Sequence, residues 1–242
     1  MKKIILLVIF TVLSIYSFAL DFSVYPTRFV VDLKRPTVEE VYIQNDRDTT
    51  IKVEIFSEED KIFGSEYNLN SNILIYPKVV YVKPRDRQIV RFKVKPLKED
   101  GEFKSYITFK QVADDENKVE NQNSTQSQIG ILAELSIPVY GKGENINESG
   151  KVENIYLSRE KDIVHLKADV LVEGNSSLKL NYELCYLDGN KKYEGSLGVT
   201  PRKGKDTLTS MIKIDKNMVG QKATLLITDK QGKLYYKKSQ II

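Results

Sequence analysis

The chain has 242 residues, enough for one or two domains of ordinary size. Its hydrophobic content of 41% and aromatic content of 10% allow substantial apolar cores. Thirty-seven basic and 33 acidic side chains leave a net charge of +4, which is too weak to indicate nucleic acid or an anionic membrane surface as a partner.

The N-terminal stretch MKKIILLVIFTVLSIYSFAL is typical of a secretory signal peptide. Lys2 and Lys3 supply the positive end, an apolar run follows, and Ser17 and Ala19 occupy the two positions that a signal peptidase reads. We therefore predict that residues 1–19 are removed and that the protein is exported. A retained N-terminal anchor is the alternative, but the apolar run is shorter than the ~20 residues that a spanning helix needs.

Two-residue alternation of apolar side chains dominates the rest of the chain and predicts half-buried strands. Helical periodicity is nearly absent, and turn-forming stretches such as QNDRD (44–48) and LDGN (187–190) separate the runs. Many short strands with frequent turns predict an all-β fold built from sandwiches or barrels. The clearest alternating sets are Ile51, Val53, Ile55; Val90, Phe92, Val94; Val164, Leu166, Ala168, Val170, Val172; Leu178, Leu180, Tyr182, Leu184, Tyr186; and Ala223, Leu225, Ile227.

The stretch IGILAELSIPVY (129–140) follows a polar loop, VADDENKVENQNSTQSQ, and all its odd-numbered positions are apolar. That loop is longer than the about two to five residues of a hairpin, which indicates an edge strand. A long apolar edge invites pairing with another chain. We therefore predict that Leu135 to Tyr140 join their own sandwich and that the N-terminal half is lent to a partner by strand addition. The predicted donor residues are Ile129, Ile131, Ala133 and Leu135.

The Gly- and Asn-rich stretch GKGENINESG (141–150) separates two strand-dense blocks. Each block has the size of one immunoglobulin-like sandwich. We therefore predict two such sandwiches in tandem, with domains at 20–141 and 142–242.

The side chains that carry most enzyme chemistry are scarce. His165 is the only histidine and is out of phase with the apolar residues of its strand, so it is predicted to face water and to form neither a triad nor a metal site. Cys185, the only cysteine, is predicted to be a half-buried strand residue. The acidic stretches SEED (57–60) and ADDEN (113–117) are predicted to be solvated turns. No catalytic residue, metal or cofactor is predicted.

Five stretches of the first block stand out: FSVYPTRFVVDL, VYIQND, ILIYPKVVYVKPRDRQIVRFKV, GEFKSYITFKQV and LAELSIPVYG. In order and spacing they resemble the N-terminal domain of the PapD-like periplasmic pilus chaperones. The second block resembles the smaller sandwich of these proteins only in length and strand content. The resemblance implies two sandwiches set in an L, and a chaperone that lends its own strand to a pilus or surface-fibre subunit lacking its last strand. It also implies release of the subunit to an outer-membrane usher.

The resemblance further implies that two basic residues between the domains anchor the terminal carboxylate of the subunit. One maps onto Arg28, whose planar guanidinium suits a bidentate grip on a carboxylate. The other, a lysine of the last strand of the domain, falls on Ile137, where this sequence departs from the family pattern. Lys142, Arg91 and Lys110 are the candidate replacements, and for Arg91 an ion pair within the domain is an equal alternative.

A second function is compatible with the same pattern: a secreted structural or adhesion protein with tandem immunoglobulin-like domains and no chaperone activity. It predicts that residues 129–135 are covered by the protein's own core. For the free chaperone, a homodimer that caps the apolar edge is a further alternative.

Overall fold

A computed structural model describes residues 22–113, 132–186 and 192–242, which fold into two β-sandwiches. In the described ranges, two short 3₁₀ helices, Ser65–Tyr67 and Lys216–Met218, lie between strands. The described strands of the first sandwich are β1 (Phe22–Tyr25), β2 (Phe29–Asp32), β3 (Thr37–Asn45), β4 (Ile51–Glu59), β5 (Ile73–Tyr76), β6 (Val79–Val82), β7 (Arg87–Val94), β8 (Glu102–Val112) and β9 (Glu134–Lys142). Those of the second are β10 (Gly150–Glu160), β11 (Ile163–Val172), β12 (Lys179–Tyr186), β13 (Lys192–Val199), β14 (Gly204–Lys213), β15 (Lys222–Asp229) and β16 (Leu234–Ile241).

Each sandwich is made of two sheets. In the first, a sheet of order β1-β3-β7-β5 faces a sheet of order β2-β9-β8-β4-β6. The chain passes from one sheet to the other at the cis peptide bonds Tyr25–Pro26 and Tyr76–Pro77. In the second, a sheet of order β10-β11-β14 faces a sheet of order β13-β12-β15-β16. The predicted all-β fold of two tandem sandwiches is confirmed, whereas the domain limits, the leader and the L shape stay predictions.

The alternating apolar residues form the two cores. In the first sandwich, Ile51, Val53 and Ile55 of β4 face Val90 and Phe92 of β7, and all five are buried. In the second, the predicted sets on β11, β12 and β15 are buried in the same way. Each fully buried side chain of this size contributes about 1.5–3 kcal/mol by leaving water. The two-residue period of the sequence is therefore confirmed by the packing.

Among the strands that the structure describes, β9 has a partner on both edges only at its C-terminal end. Its residues 139–142 pair in parallel with β2, with Phe29 level with Val139 and Asp32 level with Lys142. Along its whole length β9 pairs antiparallel with β8 on the other side. Among the described residues, no strand pairs with the β2-side edge of residues 134–138. The first half of β9 is therefore an open edge, which we call the open edge of β9.

Glu102 joins the two domains at the start of β8. Its backbone N–H donates to the carbonyl of Asn175 at 2.9 Å. Its buried carboxylate accepts hydrogen bonds from Ser176 Oγ at 3.1 Å and from Ser177 N and Oγ at 3.0 and 2.5 Å. Gly101 precedes it with φ +93°, and a Cβ there would lie 2.4 Å from the Asn175 carbonyl oxygen. Only glycine therefore fits this close approach of the two backbones.

Arg202 joins the domains in the opposite sense to Glu102, because it belongs to the second domain and contacts residues of the first. This side chain of the second domain is only 8% exposed, and its guanidinium carbon lies 3.8 Å from the ring centre of Tyr67 and 4.7 Å from that of Phe103. Its Nη2 donates to the carbonyl of Asp100 at 2.7 Å. Both aromatic rings belong to the first domain, so the arginine packs across the junction.

Replacing Arg202 by alanine is expected to lower the free energy of unfolding by about 2 kcal/mol. The substitution removes two desolvated cation–π contacts and one charge-assisted hydrogen bond. It also removes the cost of burying the guanidinium charge, which offsets part of the loss. The thermal midpoint should fall by about 4–8 °C for a chain of this size. Arg159→Ala is the control, because Arg159 is exposed and its Nη1 donates to the Lys161 carbonyl of its own turn. A midpoint equal to that of the control would contradict the packing role.

Candidate functional site

A cavity of about 390 Å³ lies between the two domains. Residues of the first domain line one side and residues of β12 and the turn after β15 line the other. Charged side chains dominate the wall, with basic groups in slight excess over acidic ones. The basic residues are Arg28, Lys142, Lys179 and Lys230, and the acidic residues are Glu102, Glu148 and Asp229.

Arg28 lies directly before β2 and stacks on a ring of β9. Its guanidinium carbon is 4.3 Å from the ring centre of Tyr140, which is 8% exposed. Within the part of the chain that the structure describes, no carboxylate oxygen lies within 4.0 Å of its guanidinium. The aromatic face fixes the side chain by a cation–π contact without neutralising its charge. The guanidinium can therefore still bind an anion in the cavity.

Of the three predicted replacements for the missing lysine, the structure brings only Lys142 to the cavity. Arg91 instead donates from Nε to Glu40 at 2.8 Å, an ion pair within the first domain. Lys110 lies 3.9 Å from Glu134, away from the cavity wall. Ile137 is 4% exposed and packs in the first core. The assignment of the second anchor to any of these residues stays a prediction.

Lys179, the first residue of β12, was not among the predicted site residues. Its Nζ lies 5.2 Å from the centre of the same Tyr140 ring that Arg28 contacts. Burial lowers the pKa of the Lys179 ammonium, and the positive charge of Arg28 lowers it further. Its only signal in the sequence was its place between the apolar positions Leu178 and Leu180, which marks a residue of the outer sheet face. Its neighbourhood depends on the docking of the two domains.

A buried ion pair lies beside Tyr140, because Lys104 is level with it on the neighbouring strand β8. Lys104 Nζ lies 2.5 Å from Asp60 Oδ2 and 5.2 Å from the Tyr140 ring centre. The Asp60 carboxylate also accepts hydrogen bonds from the backbone N–H of Phe63 at 3.0 Å and from Tyr106 Oη at 3.1 Å. The prediction that SEED (57–60) is a solvated turn is therefore wrong: residues 57–59 are the end of β4, and the Asp60 side chain is only 10% exposed. Its carboxylate is enclosed because Lys104 on β8 reaches across to it.

The predicted donor residues fall on both sides of the limit of the described chain. Ala133 and Leu135 are half-buried and pack against the first core. Ile129 and Ile131 lie outside the described residues. Gln111 N donates to the Ala133 carbonyl at 2.9 Å, so the odd-numbered backbone groups of β9 point to β8. The even-numbered groups, those of Glu134 and Ser136 among them, therefore point to the open edge.

The remaining chemical groups show no catalytic arrangement among the described residues. His165 is half-buried in a groove on the outer face of the second domain and, as predicted, is out of phase with the buried Val164 and Leu166. Cys185 is half-buried, as predicted. In the described ranges, no group of three or more His, Cys, Asp or Glu residues could hold a metal ion. The described helices include none that is long and apolar enough to cross a membrane.

Residues 21–140 match the family model for the pili and flagellar-assembly chaperone, PapD N-terminal domain. Among solved structures, a chaperone–tip adhesin complex of CFA/I fimbriae biogenesis aligns with a TM-score of 0.50 at 11% identity, covering 92% of this chain and 98% of that chain. The Escherichia coli chaperone DraB gives 0.46 at 11% identity (90% and 95% covered), and the Pseudomonas aeruginosa CupB2 chaperone gives 0.46 at 12% (91% and 100%). No curated protein matches the chain by sequence. At such identities the first structure supports the fold alone.

Proposed function

The chain belongs, through its first domain at residues 21–140, to the family of PapD-like pili and flagellar-assembly chaperones, and we propose that it holds pilus or surface-fibre subunits by donor-strand complementation before their assembly. The resemblance stated for the five sequence stretches is thereby confirmed. The observation that carries the proposal is the open edge of β9, which ends beside Arg28.

The open edge meets the needs of a subunit that lacks a strand. Such a subunit has unpaired backbone groups and an uncovered apolar core. The even-numbered backbone groups of β9 can pair with the unpaired backbone groups of the subunit. Its alternating apolar side chains can fill the uncovered core. Burial of Ile129, Ile131, Ala133 and Leu135 would contribute roughly 6–12 kcal/mol gross, before the cost of ordering both chains. That gross energy is enough to hold a subunit that is unstable alone.

Arg28 would anchor the end of the subunit. A terminal carboxylate entering the cavity can accept two parallel hydrogen bonds from the guanidinium, which the Tyr140 ring holds in place. The grip fixes where the subunit strand stops and therefore its register along the open edge. The site would thus combine an apolar strand for affinity with a charged group for alignment.

Co-purification tests this function. The tagged full chain, expressed in its own periplasm, is expected to bring with it a small β-rich subunit in stoichiometric amount. That subunit should aggregate when the complex is dissociated, because it lacks a strand of its own. Isolation of the chain alone from fibre-producing cells would contradict the proposal and favour the structural or adhesion alternative.

The periplasmic location, the outer-membrane usher and the self-capping homodimer belong to the same proposal. A homodimer would pair two open edges in the absence of subunit. Gel filtration at falling protein concentration distinguishes the states, since a dimer dissociates and a monomer elutes unchanged. Addition of subunit should convert either form into the same one-to-one complex.

A further inference from the structure

Of the three cations near the Tyr140 ring, Lys104 is paired with Asp60, and the other two, Arg28 and Lys179, line the cavity. Arg28 approaches Tyr140 from the first domain at 4.3 Å, and Lys179 approaches it from the second at 5.2 Å. Neither has a carboxylate oxygen within 4.0 Å in the described part of the chain. Arg28 contributes to the lowered pKa of Lys179, so the two positive charges repel each other. An anion placed between them would relieve this repulsion.

The acidic residues of the cavity do not fill this role. Glu102 attracts the Lys179 ammonium and partly opposes the lowering of its pKa, but its Oε2 already accepts hydrogen bonds from the hydroxyl groups of Ser176 and Ser177 and from the Ser177 N–H. Asp229 accepts hydrogen bonds from the N–H groups of its own turn, at 2.8 and 3.0 Å, and from Tyr235 Oη. Glu148 is exposed, and no cation of the described residues lies within 4.0 Å of its carboxylate. The two cations are thus left for a ligand.

We propose that Lys179 is the second cation of the carboxylate site, so that the two domains together bind the terminal carboxylate of a polypeptide. This inference rests on the proposed function of Arg28. The planar guanidinium of Arg28 would supply directed hydrogen bonds from the first domain, and the Lys179 ammonium would supply a compact charge from the second. The second domain thereby supplies the charge that Ile137 of β9 lacks.

The arrangement makes domain docking a condition for ligand binding. Lys179 starts β12, and the residues just before it, Ser176 and Ser177, bind Glu102 across the junction. The position of the Lys179 ammonium over Tyr140 therefore depends on the same contacts that hold the domains together. A carboxylate bound by Arg28 and Lys179 would add a further link between the domains.

The test uses a short soluble peptide of alternating threonine and valine, made once with a free C-terminal carboxylate and once as the C-terminal amide. The full chain is expected to prefer the carboxylate form. Lys179→Met should reduce that preference about 10- to 100-fold, the effect of losing one charge-assisted contact. Lysine side-chain NMR should show the pKa of Lys179 rising when the carboxylate peptide, but not the amide, is added.

Two further variants separate this inference from the proposed function. Lys167→Met is the matched control, since Lys167 lies on β11 of the same domain and outside the cavity. A preference lost in Arg28→Ala but kept in Lys179→Met would overturn the role of Lys179 and leave the Arg28 anchor intact. A preference lost in Lys142→Met and kept in Lys179→Met would likewise overturn it. Equal binding of both peptides by the unchanged chain would overturn the carboxylate site altogether.

Discussion

Asp60→Asn is expected to lower the free energy of unfolding at neutral pH by about 3 kcal/mol, near the lower limit for breaking a buried ion pair. The Asp60 and Lys104 side chains are only 10% and 12% exposed, so the variant leaves the Lys104 ammonium buried without a counter-charge. The asparagine amide still accepts hydrogen bonds but carries no charge. Urea unfolding followed by tyrosine fluorescence would measure the change.

The pH dependence of this difference identifies its cause. Burial alone raises the pKa of the Asp60 carboxyl, but hydrogen bonds from Lys104 and the Phe63 N–H outweigh it, and the folded pKa lies below the ordinary value. The stabilisation is therefore present above the unfolded pKa of about 3.9 and is lost as the pH falls through the lower folded pKa. The stability of the wild type should converge on that of Asp60→Asn in acid. A difference independent of pH would contradict the ion pair as its source.

Asp48→Asn is the matched control for this prediction. Arg85 Nε lies 2.8 Å from Asp48 Oδ1, and both side chains are well exposed, at 64% and 83%. Solvent screens this pair, so its removal should leave the stability unchanged within error. An effect as large as that of Asp60→Asn would show that burial does not decide the strength of these pairs.

Ile131→Asp is expected to abolish subunit capture while the chain stays folded. The substitution removes the apolar burial of one donor side chain, about 2–3 kcal/mol, and places a charged group in an apolar slot at a cost of several kcal/mol more. Together these terms lower the affinity by more than about a thousandfold. Co-purification yield and a titration with isolated subunit measure the loss, and thermal unfolding of the free chain checks the fold.

Leu132→Asp provides the comparison for Ile131→Asp. Leu132 is 52% exposed and has the opposite parity to the donor residues, so the same charge would face away from the subunit core. Capture should survive in this variant. Retained capture by Ile131→Asp would rule out donor-strand complementation through this segment, and loss in both variants would indicate a general intolerance of negative charge instead.

The alternation of apolar residues predicted the architecture because strand side chains point to opposite faces of a sheet. Val164 to Val172 and Leu178 to Tyr186 each showed which face of their strand is buried before any neighbour was known. The placement of Leu135 to Tyr140 in the first sandwich follows from the same rule, and these residues lie within β9 (Glu134–Lys142). Local periodicity therefore sufficed for the sheets and their cores.

The parts of the site that escaped prediction depend on contacts between distant segments. In the sequence, Asp60 was one of several acidic residues predicted to lie in a turn. It is buried in an ion pair because the Lys104 side chain extends to it from β8. Lys179 and Arg202 gain their roles from the docking of the second domain on the first. Neither strand periodicity nor charge content encodes such a docking. Arg28 could be singled out only through the family resemblance of its surrounding motif.

The parallel pairing of β2 with β9 has a consequence for the polarity of any added strand. Phe29, the first residue of β2, is level with Val139. Arg28 therefore lies at the point along β9 where pairing with β2 ends and the open edge begins. A strand lying along residues 134–138 with its carboxylate at Arg28 must run in the same direction as β9. Because β2 is paired with residues 139–142 of β9, an added strand that continued past Arg28 would collide with β2. The open edge of β9 therefore has room for the last strand of a polypeptide but not for an internal strand.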